Sequence, residues 1–506
     1  MRKKQLQKHA FGLKMREKNT RKGRMDVERS GGVLMHISSL YGDYGCGTFG
    51  KSAYEFVDFL KESGFTYWQV LPFGLTDAYH SPYMSVSSFG GNPLFVDPGI
   101  LFEKGLVTRE ERDAQRICAP YLCEYESVRE GRMDFLARAA RRFGETAESR
   151  AFFKNHPYIE DFCVFMAKKA ANGEKNCAFW TRGDYAQENA DLWKFVQYAF
   201  YTQWQDLHRY ANENGIKIIG DLPFYVSDHS HDLDRFPDAF ARGADGKIHD
   251  VAGVPPDYFS AEGQKWGNPL YDWDAMEKEG YRYWRARLGH TLELFDGVRI
   301  DHFRALSSYW AVPAEDETAV GGEMRKGPGK KMIDVIREVA GDKLIIAENL
   351  GLIDDDVNDL LAYSGFPGMG VFQFGFDGNA ANPHLPHNYT QNTVSYTGTH
   401  DNNTLLGFMW ELDGETRKAV LDYIGFEGDN WDRSYDRIIR VMMISGAGIV
   451  IFPIQDLLGY GSDTRLNTPG RAEGNWRMRI TKEQLDSIDR KRFLHLNRMY
   501  GRSGGK

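Results

Sequence analysis

Three acids stand where apolar runs of this chain end: Asp301 after Gly-Val-Arg-Ile, Glu348 after Leu-Ile-Ile-Ala, and Asp401 after Val-Ser-Tyr-Thr-Gly-Thr-His. A fourth, Asp221, follows Lys-Ile-Ile-Gly. One acid at a strand end is commonplace and more often caps the next helix than reacts. Asp301 has an odder setting, with Arg299 two residues before it and His302 directly after. Side chains alternate along a strand, so Arg299 and Asp301 share one face while Val298 and Ile300 share the other. A guanidinium at that range favours the ionised carboxylate, and an ionised carboxylate held in place is a nucleophile. Glu348 follows three apolar residues and has no basic neighbour in sequence. That setting suits a raised pKa and the role of proton donor. Two carboxyls with opposite protonation demands meet the requirement for breaking a glycosidic bond. The alternative for the same residues is a buried Arg–Asp pair that braces a core.

Such residues need elements to carry them, and one pattern recurs along the chain. An amphipathic helix ends near a glycine, and a short β-branched strand follows, ending in polar residues. The glycines are Gly64, Gly215, Gly297, Gly341 and the pair Gly446/Gly448, each expected to supply a left-handed helix cap. The strands are nearly continuous apolar runs, as expected of parallel strands covered on both faces. Counting Gly-Val-Leu-Met-His-Ile (32–37) first, and Val-Phe-Gln-Phe-Gly-Phe (371–376) as the sixth, gives eight. Eight parallel strands predict an α/β fold, a closed (β/α)8 TIM barrel. A doubly wound open sheet is the rival, but no GxGxxG follows the first strand and no GxxxxGK[ST] occurs. Residues about 101–200 are too long for a connector and read as a helical insertion, and residues about 225–290 as a second, loop-rich one. Residues 25–506 then make a single catalytic barrel.

Composition bounds the partners. Of the 506 residues 42% are hydrophobic, enough for a large core, and 14% are aromatic, which suits a flat-faced ligand such as a sugar as well as packing. The first 24 residues carry ten Lys/Arg against one acid, Glu17, so the net charge of −8 conceals −17 on the remainder. That balance argues against nucleic acid as a partner of the main body. The basic stretch 1–24 reads as a disordered tail or a misassigned start, with a chain beginning at Met25 expected to be fully active. Five cysteines without framework spacing indicate a reducing, cytoplasmic compartment, and no apolar stretch approaches the length of a membrane span. There is no HExxH, paired CxxC or EF-hand loop, and nothing calls for an organic cofactor. The segment Asp-His-Ser-His-Asp (228–232) reads as a surface loop rather than a metal site.

Gly-Val-Arg-Ile-Asp-His-Phe-Arg-Ala-Leu, Ile-Ile-Ala-Glu-Asn-Leu-Gly and Gly-Thr-His-Asp-Asn-Asn-Thr resemble the catalytic blocks of the α-amylase clan. Further segments narrow the likeness: 81–97, 218–230, Val251 to Tyr271, 366–376 and 474–479. Over about Gly31 to Arg479 the chain is similar to the amylomaltase or disproportionating-enzyme family of 4-α-glucanotransferases (glycoside hydrolase family 77). The resemblance implies that Asp301 is the nucleophile, Glu348 the general acid/base and Asp401 a stabiliser of the transition state. It places Arg299, His302, His400 and Asp221 around the same sugar. Tyr83, Asp257, Tyr258, Phe259, Trp266 and Asn268 become further substrate contacts, with Pro255-Pro256 stiffening a loop over the cleft; Phe366 and the loop 461–465 could line the remaining edge. The implied partners are maltooligosaccharides and α-1,4-glucans, as donor and acceptor. A hydrolase of the same clan and a non-catalytic glucan-binding barrel are the alternatives, the second disfavoured by the intact acids.

Overall fold

The computed structural model describes residues 27–256, 261–428 and 430–504. The basic stretch 1–24 and the candidate contacts Asp257, Tyr258 and Phe259 lie outside the described residues. The strands are β1 Ser30–Leu34, β2 Tyr67–Gln69, β3 Lys217–Leu222, β4 Asp250–Val254, β5 Gln264–Pro269, β6 Gly297–Ile300, β7 Ser308–Pro313, β8 Glu323–Lys326, β9 Leu344–Ala347, β10 Gly368–Val371, β11 Thr393–Tyr396 and β12 Ile449–Pro453. Eight of them close into a parallel barrel in the order β1-β12-β11-β10-β9-β6-β3-β2. The fold is therefore a (β/α)8 barrel with insertions. β12 shows why the runs are apolar throughout: all of Ile449–Pro453 is buried, one face in the barrel interior and the other under helices.

Three of the expected helix caps, Gly64, Gly215 and Gly341, do have positive φ. Gly297 and Gly448 do a different job. A Cβ on Gly297 would sit 2.8 Å from Leu344 Cβ, and one on Gly448 would sit 2.3 Å from the Gln391 carbonyl. These glycines let neighbouring segments close on one another. The sixth strand also differs from expectation. It is Gly368–Val371, and Phe372–Phe374 is a 3-10 turn in which Phe372 is buried and Phe374 exposed. Phe372 packs on Phe376 with ring centroids 5.0 Å apart, a helix-like i, i+4 pairing hidden within an apolar run.

The helical insertion has no break near residue 200, because Gln187–Glu213 is one continuous helix. Its first half packs on the helix Pro157–Ala171, with Trp193 on Phe162 and Lys194 on Glu160. Its second half is the barrel crossover before β3, with the Tyr210 ring tilted against Tyr54 and its hydroxyl hydrogen-bonded to Asp58. The second insertion is less loop-like than its sequence. β4 and β5 join β7 and β8 in an antiparallel sheet of order β5-β4-β7-β8. Glycine and proline in β4 and β5 weaken any local strand signal, and the partner β7 lies beyond β6 in sequence. This sheet ties together the connections that follow β3 and β6, the two strands carrying Asp221 and Asp301. Residues 230–232 are buried rather than on a surface loop: His231 packs against Phe89, Phe162 and Phe165, and Asp232 accepts from Tyr283 and the Ser88 amide. Among the described residues no helix is long and apolar enough to cross a membrane.

Candidate active site

The C-terminal ends of β3, β6, β9 and β11 meet around one cleft, and Arg299 is its floor. Asp221 and Arg299 are register partners on β3 and β6. Arg299 Nη1 donates to both oxygens of Asp221 at 2.8 Å, and Nη2 donates to Asp301 Oδ1 at 2.9 Å. Arg299 and Asp221 are both nearly inaccessible, whereas the Asp301 side chain is 29% exposed to the cleft. Val298 and Ile300 are fully buried on the opposite face, as the alternation demands. Burial by itself would lower the Arg299 pKa. The surrounding Asp221, Asp301, Tyr83 and Glu348 override it and push that pKa well above the ordinary value, so the guanidinium is a permanent cation. Gly220, before Asp221, leaves room for the Phe295 ring, which a Cβ would meet at 2.2 Å.

Glu348 stands beside Asp301 on the neighbouring strand. Ile300 and Ala347 are register partners, and the Glu348 amide donates to the Ile300 carbonyl at 3.1 Å. Adjacent strands lie only ~4.8 Å apart, so both carboxyls fall within reach of one sugar ring. Glu348 Oε1 accepts from the Leu350 amide at 2.9 Å. Burial pushes its pKa up to about 8; Arg299 opposes the shift and the like charge of Asp301 adds to it. The group is thus protonated at neutrality, the state a proton donor needs.

Asp401 is held otherwise. Its side chain is 44% exposed to the cleft, and it meets His400 Nε2 at 3.2 Å and Asn467 Nδ2 at 2.6 Å. Arg465 donates to its carbonyl at 2.6 Å. The cleft walls desolvate it, but His400, Asn467 and the more distant Arg299 prevail and hold the carboxyl well below the usual range. Tyr83 links the two halves of this set: its hydroxyl donates to Asp221 Oδ2 at 2.9 Å, and its ring stacks on His400 with centroids 5.1 Å apart. The result is a chain of contacts from Asp301 through Arg299, Asp221, Tyr83 and His400 to Asp401.

On the other side of Asp301 the wall is apolar. His302 has a left-handed backbone, φ 46°, a strained conformation for a residue with a side chain. Burial lowers its pKa to about 4, Asp301 opposing and Arg304 assisting, so the imidazole is neutral. Its ring faces Trp266 at 5.0 Å and lies near Phe224 and Tyr225. Trp266, on β5, is half-buried, with its indole N–H on Gln264. Asn268 is buried, and its amide nitrogen is spent on the Val226 carbonyl and Met84 sulfur, so it braces the insertion sheet against the β3 loop. Phe366 is 2% exposed and belongs to the core. Sequence reasoning missed Asn467 and Trp476; Trp476 also has positive φ and lies 5.9 Å from both Tyr83 and His400. Both lie beyond the helix Ile454–Leu458 and the 3-10 turn Ser462–Thr464 that follow β12, too far from the strand end for the signal that marked the four acids. Among the described residues no cluster of three or more His, Cys, Asp or Glu is placed to hold a metal ion.

Comparison with known proteins gives a consistent result. A family model described as 4-alpha-glucanotransferase matches residues 35–485. The 4-alpha-glucanotransferase of Aquifex aeolicus is 41% identical over 94% of this chain and 99% of its own length. That of Streptococcus pneumoniae is 39% identical over 94% of this chain and 98% of its own. Among solved structures, an amylomaltase from Streptococcus agalactiae in complex with acarbose superposes with a TM-score of 0.90 at 36% identity, covering 94% of this chain and 100% of that one.

Proposed function

This chain belongs to the 4-alpha-glucanotransferase family and is a 4-alpha-glucanotransferase, and on that premise we propose that it moves α-1,4-glucan segments between maltooligosaccharides through a covalent glucosyl-Asp301. Asp301 attacks the anomeric carbon while Glu348 protonates the departing glycosidic oxygen, a retaining double displacement. The observation that carries this reading is the pairing at neighbouring strand ends of a carboxylate on Arg299 with a carboxyl whose pKa is raised to about 8. Ester formation removes the negative charge of Asp301, and with it one of the influences that raise Glu348. Arg299 is then opposed by fewer anions, so the Glu348 pKa falls and the group stays ionised, ready to take a proton from the acceptor hydroxyl. Asp401, with His400, grips hydroxyls of the distorted sugar, where a fixed anion and its partners stabilise the oxocarbenium-like state. Asp221 fixes the Arg299 fork, and Tyr83 offers both a ring face and a hydroxyl.

Transfer requires that a glucan hydroxyl outcompete water, which is near ~55 M, and this depends on a bound, oriented acceptor. Trp266 and His302 are proposed as the acceptor-side wall. Asp257, Tyr258 and Phe259 join them on residue type, as flat faces and a polar group suited to pyranose contacts. Five free cysteines support a cytoplasmic setting. Maltotriose incubated alone should yield glucose and a ladder of longer chains, and Asp301→Ala should lose both by roughly 10⁴-fold or more. Only shorter products from the native chain would make it a hydrolase, and undiminished turnover in Asp301→Ala would remove the proposed nucleophile.

A further inference from the structure

One buried carboxylate has no part in the mechanism above. Asp456 lies in the helix Ile454–Leu458 that follows β12 and is 1% exposed. Its Oδ2 accepts from the Thr397 hydroxyl at 2.5 Å, and its Oδ1 accepts from the Leu405 amide at 2.7 Å. Thr397 is the first residue beyond β11, and Leu405 begins the helix Leu405–Glu411. The loop between them, residues 398–404, carries His400 and Asp401. One carboxylate therefore reaches both ends of the loop, each with a separate oxygen.

We propose that Asp456 is a positioning residue for glucan transfer: its carboxylate clasps the two ends of the loop that presents His400 and Asp401, and its protonation loosens the clasp. The idea rests on the reading that His400 and Asp401 serve the reacting sugar. Within the loop the other bonds are short-range, such as Thr399 N–H and O–H to Asn402 Oδ1. They shape the turn but do not anchor it to the barrel. Anchorage from outside comes from Asp456 at the ends, from Arg465 and Asn467 at Asp401, from Tyr83 at His400, and from Gln373 and Ser462 at Asn403. The clasp bonds are charge-assisted, hence about twice as strong as neutral ones. Without them the Leu405 amide, a first-turn donor with no partner inside its own helix, is left in a fully buried place. Displacing a transition-state contact by ~1 Å can cost ~10²-fold in rate.

The clasp also responds to acid. A protonated carboxyl must use one oxygen as a donor, and Thr397 then loses its acceptor. The charged groups on the elements around Asp456 are engaged elsewhere: Glu411 with Asn403, Arg465 with the Asp401 carbonyl and the Asn467 carbonyl, and His400 with Asp401. Burial raises the Asp456 pKa to about 6, with the Leu405 amide and the Thr397 hydroxyl drawing it back.

The test is the acid limb of the kcat profile for maltotriose disproportionation, with the thermal unfolding midpoint of each variant measured alongside. Asp456→Asn keeps the shape but presents the neutral pattern of the protonated carboxyl, one acceptor for Leu405 and a donor toward Thr397; its kcat at neutral pH should already lie at the level the native enzyme falls to in acid, and its acid limb should flatten. Thr397→Val removes one of the two bonds to the carboxylate and raises its proton affinity; its limb should move to higher pH, by roughly one unit. A flattened limb in one variant and an upward displacement in the other are the signature of a positioning carboxylate. A merely structural Asp456 would lower the unfolding midpoint in both variants and leave both limbs in place, and that result overturns the proposal. Asp401→Asn separates the two readings: retained turnover there refutes the role given to the loop, whatever the limbs do.

Discussion

The two walls of the cleft rest on different physics. On the Asp401 side, Asp221, Arg299, Tyr83, His400, Asp401 and Asn467 form a continuous set of hydrogen bonds and ion pairs, most of it buried. On the Trp266 side, His302 touches Trp266, Phe224 and Tyr225 through ring edges, and among the described residues its imidazole makes no hydrogen bond. Fixed charges cost no reorganisation when charge develops on one sugar ring, so they belong where the bond breaks. Flat apolar faces accept any pyranose in several registers, so they belong where chains of different length must exchange. On the reading proposed above, the difference lets one protein hold a transition state tightly and its acceptors loosely.

That contrast can be broken most severely at Glu348. Glu348→Gln should lower kcat on glucans by roughly 10²–10⁴-fold. It should spare the first step with a glucosyl fluoride donor, whose leaving group needs no proton. Because the protonated form is required, native kcat should fall as pH rises through about 8. The sign for stability is the same: the contribution of neutral Glu348 is whole below the ordinary glutamate range and is lost as pH climbs through its folded value. A base limb unchanged in Glu348→Gln would remove the residue from the proton-transfer role. Arg299→Lys comes next. Lysine keeps the charge but cannot bond two carboxylates in fixed directions, and kcat should fall about 10²-fold, measured as glucose release from maltotriose. A loss under threefold would mean that the fork geometry is incidental.

Tyr83→Phe removes one hydroxyl from the polar wall and leaves the ring on His400; about a tenfold loss in kcat/KM is expected. The smallest effect belongs to the other wall. Trp266→Ala should leave the donor-side rate within about threefold while raising the acceptor KM several-fold and the share of hydrolysis with it. If Trp266→Ala instead lowered kcat as much as Arg299→Lys does, the division between the walls would collapse.

Legibility followed the range of the interactions involved. Asp301, Glu348, Asp401 and Asp221 were visible because an apolar run ending in a polar residue is a local pattern, and in a barrel such ends converge on one face. Arg299 was visible through alternation alone. The sixth strand was misplaced because Phe372 and Phe376 repeat with helical spacing inside an apolar segment, which periodicity cannot separate from a strand over so few residues. The insertion sheet was hidden because β4 gains its strength from β7, across an intervening barrel strand. Asn268 has the type of a sugar contact, and only the fold shows that its amide nitrogen donates to the Val226 carbonyl.

By itself the sequence determined the barrel, its polar strand ends and the raised proton affinity expected of Glu348, since all of these follow from chain-local alternation, burial and neighbouring charge. Tertiary structure alone decided that Asp221 lies opposite Arg299, that Asn467 grips Asp401, and that Asp456 spans the loop ends. Those pairings depend on strand register and barrel closure, which are set by packing between residues far apart along the chain and leave no short-range trace in it.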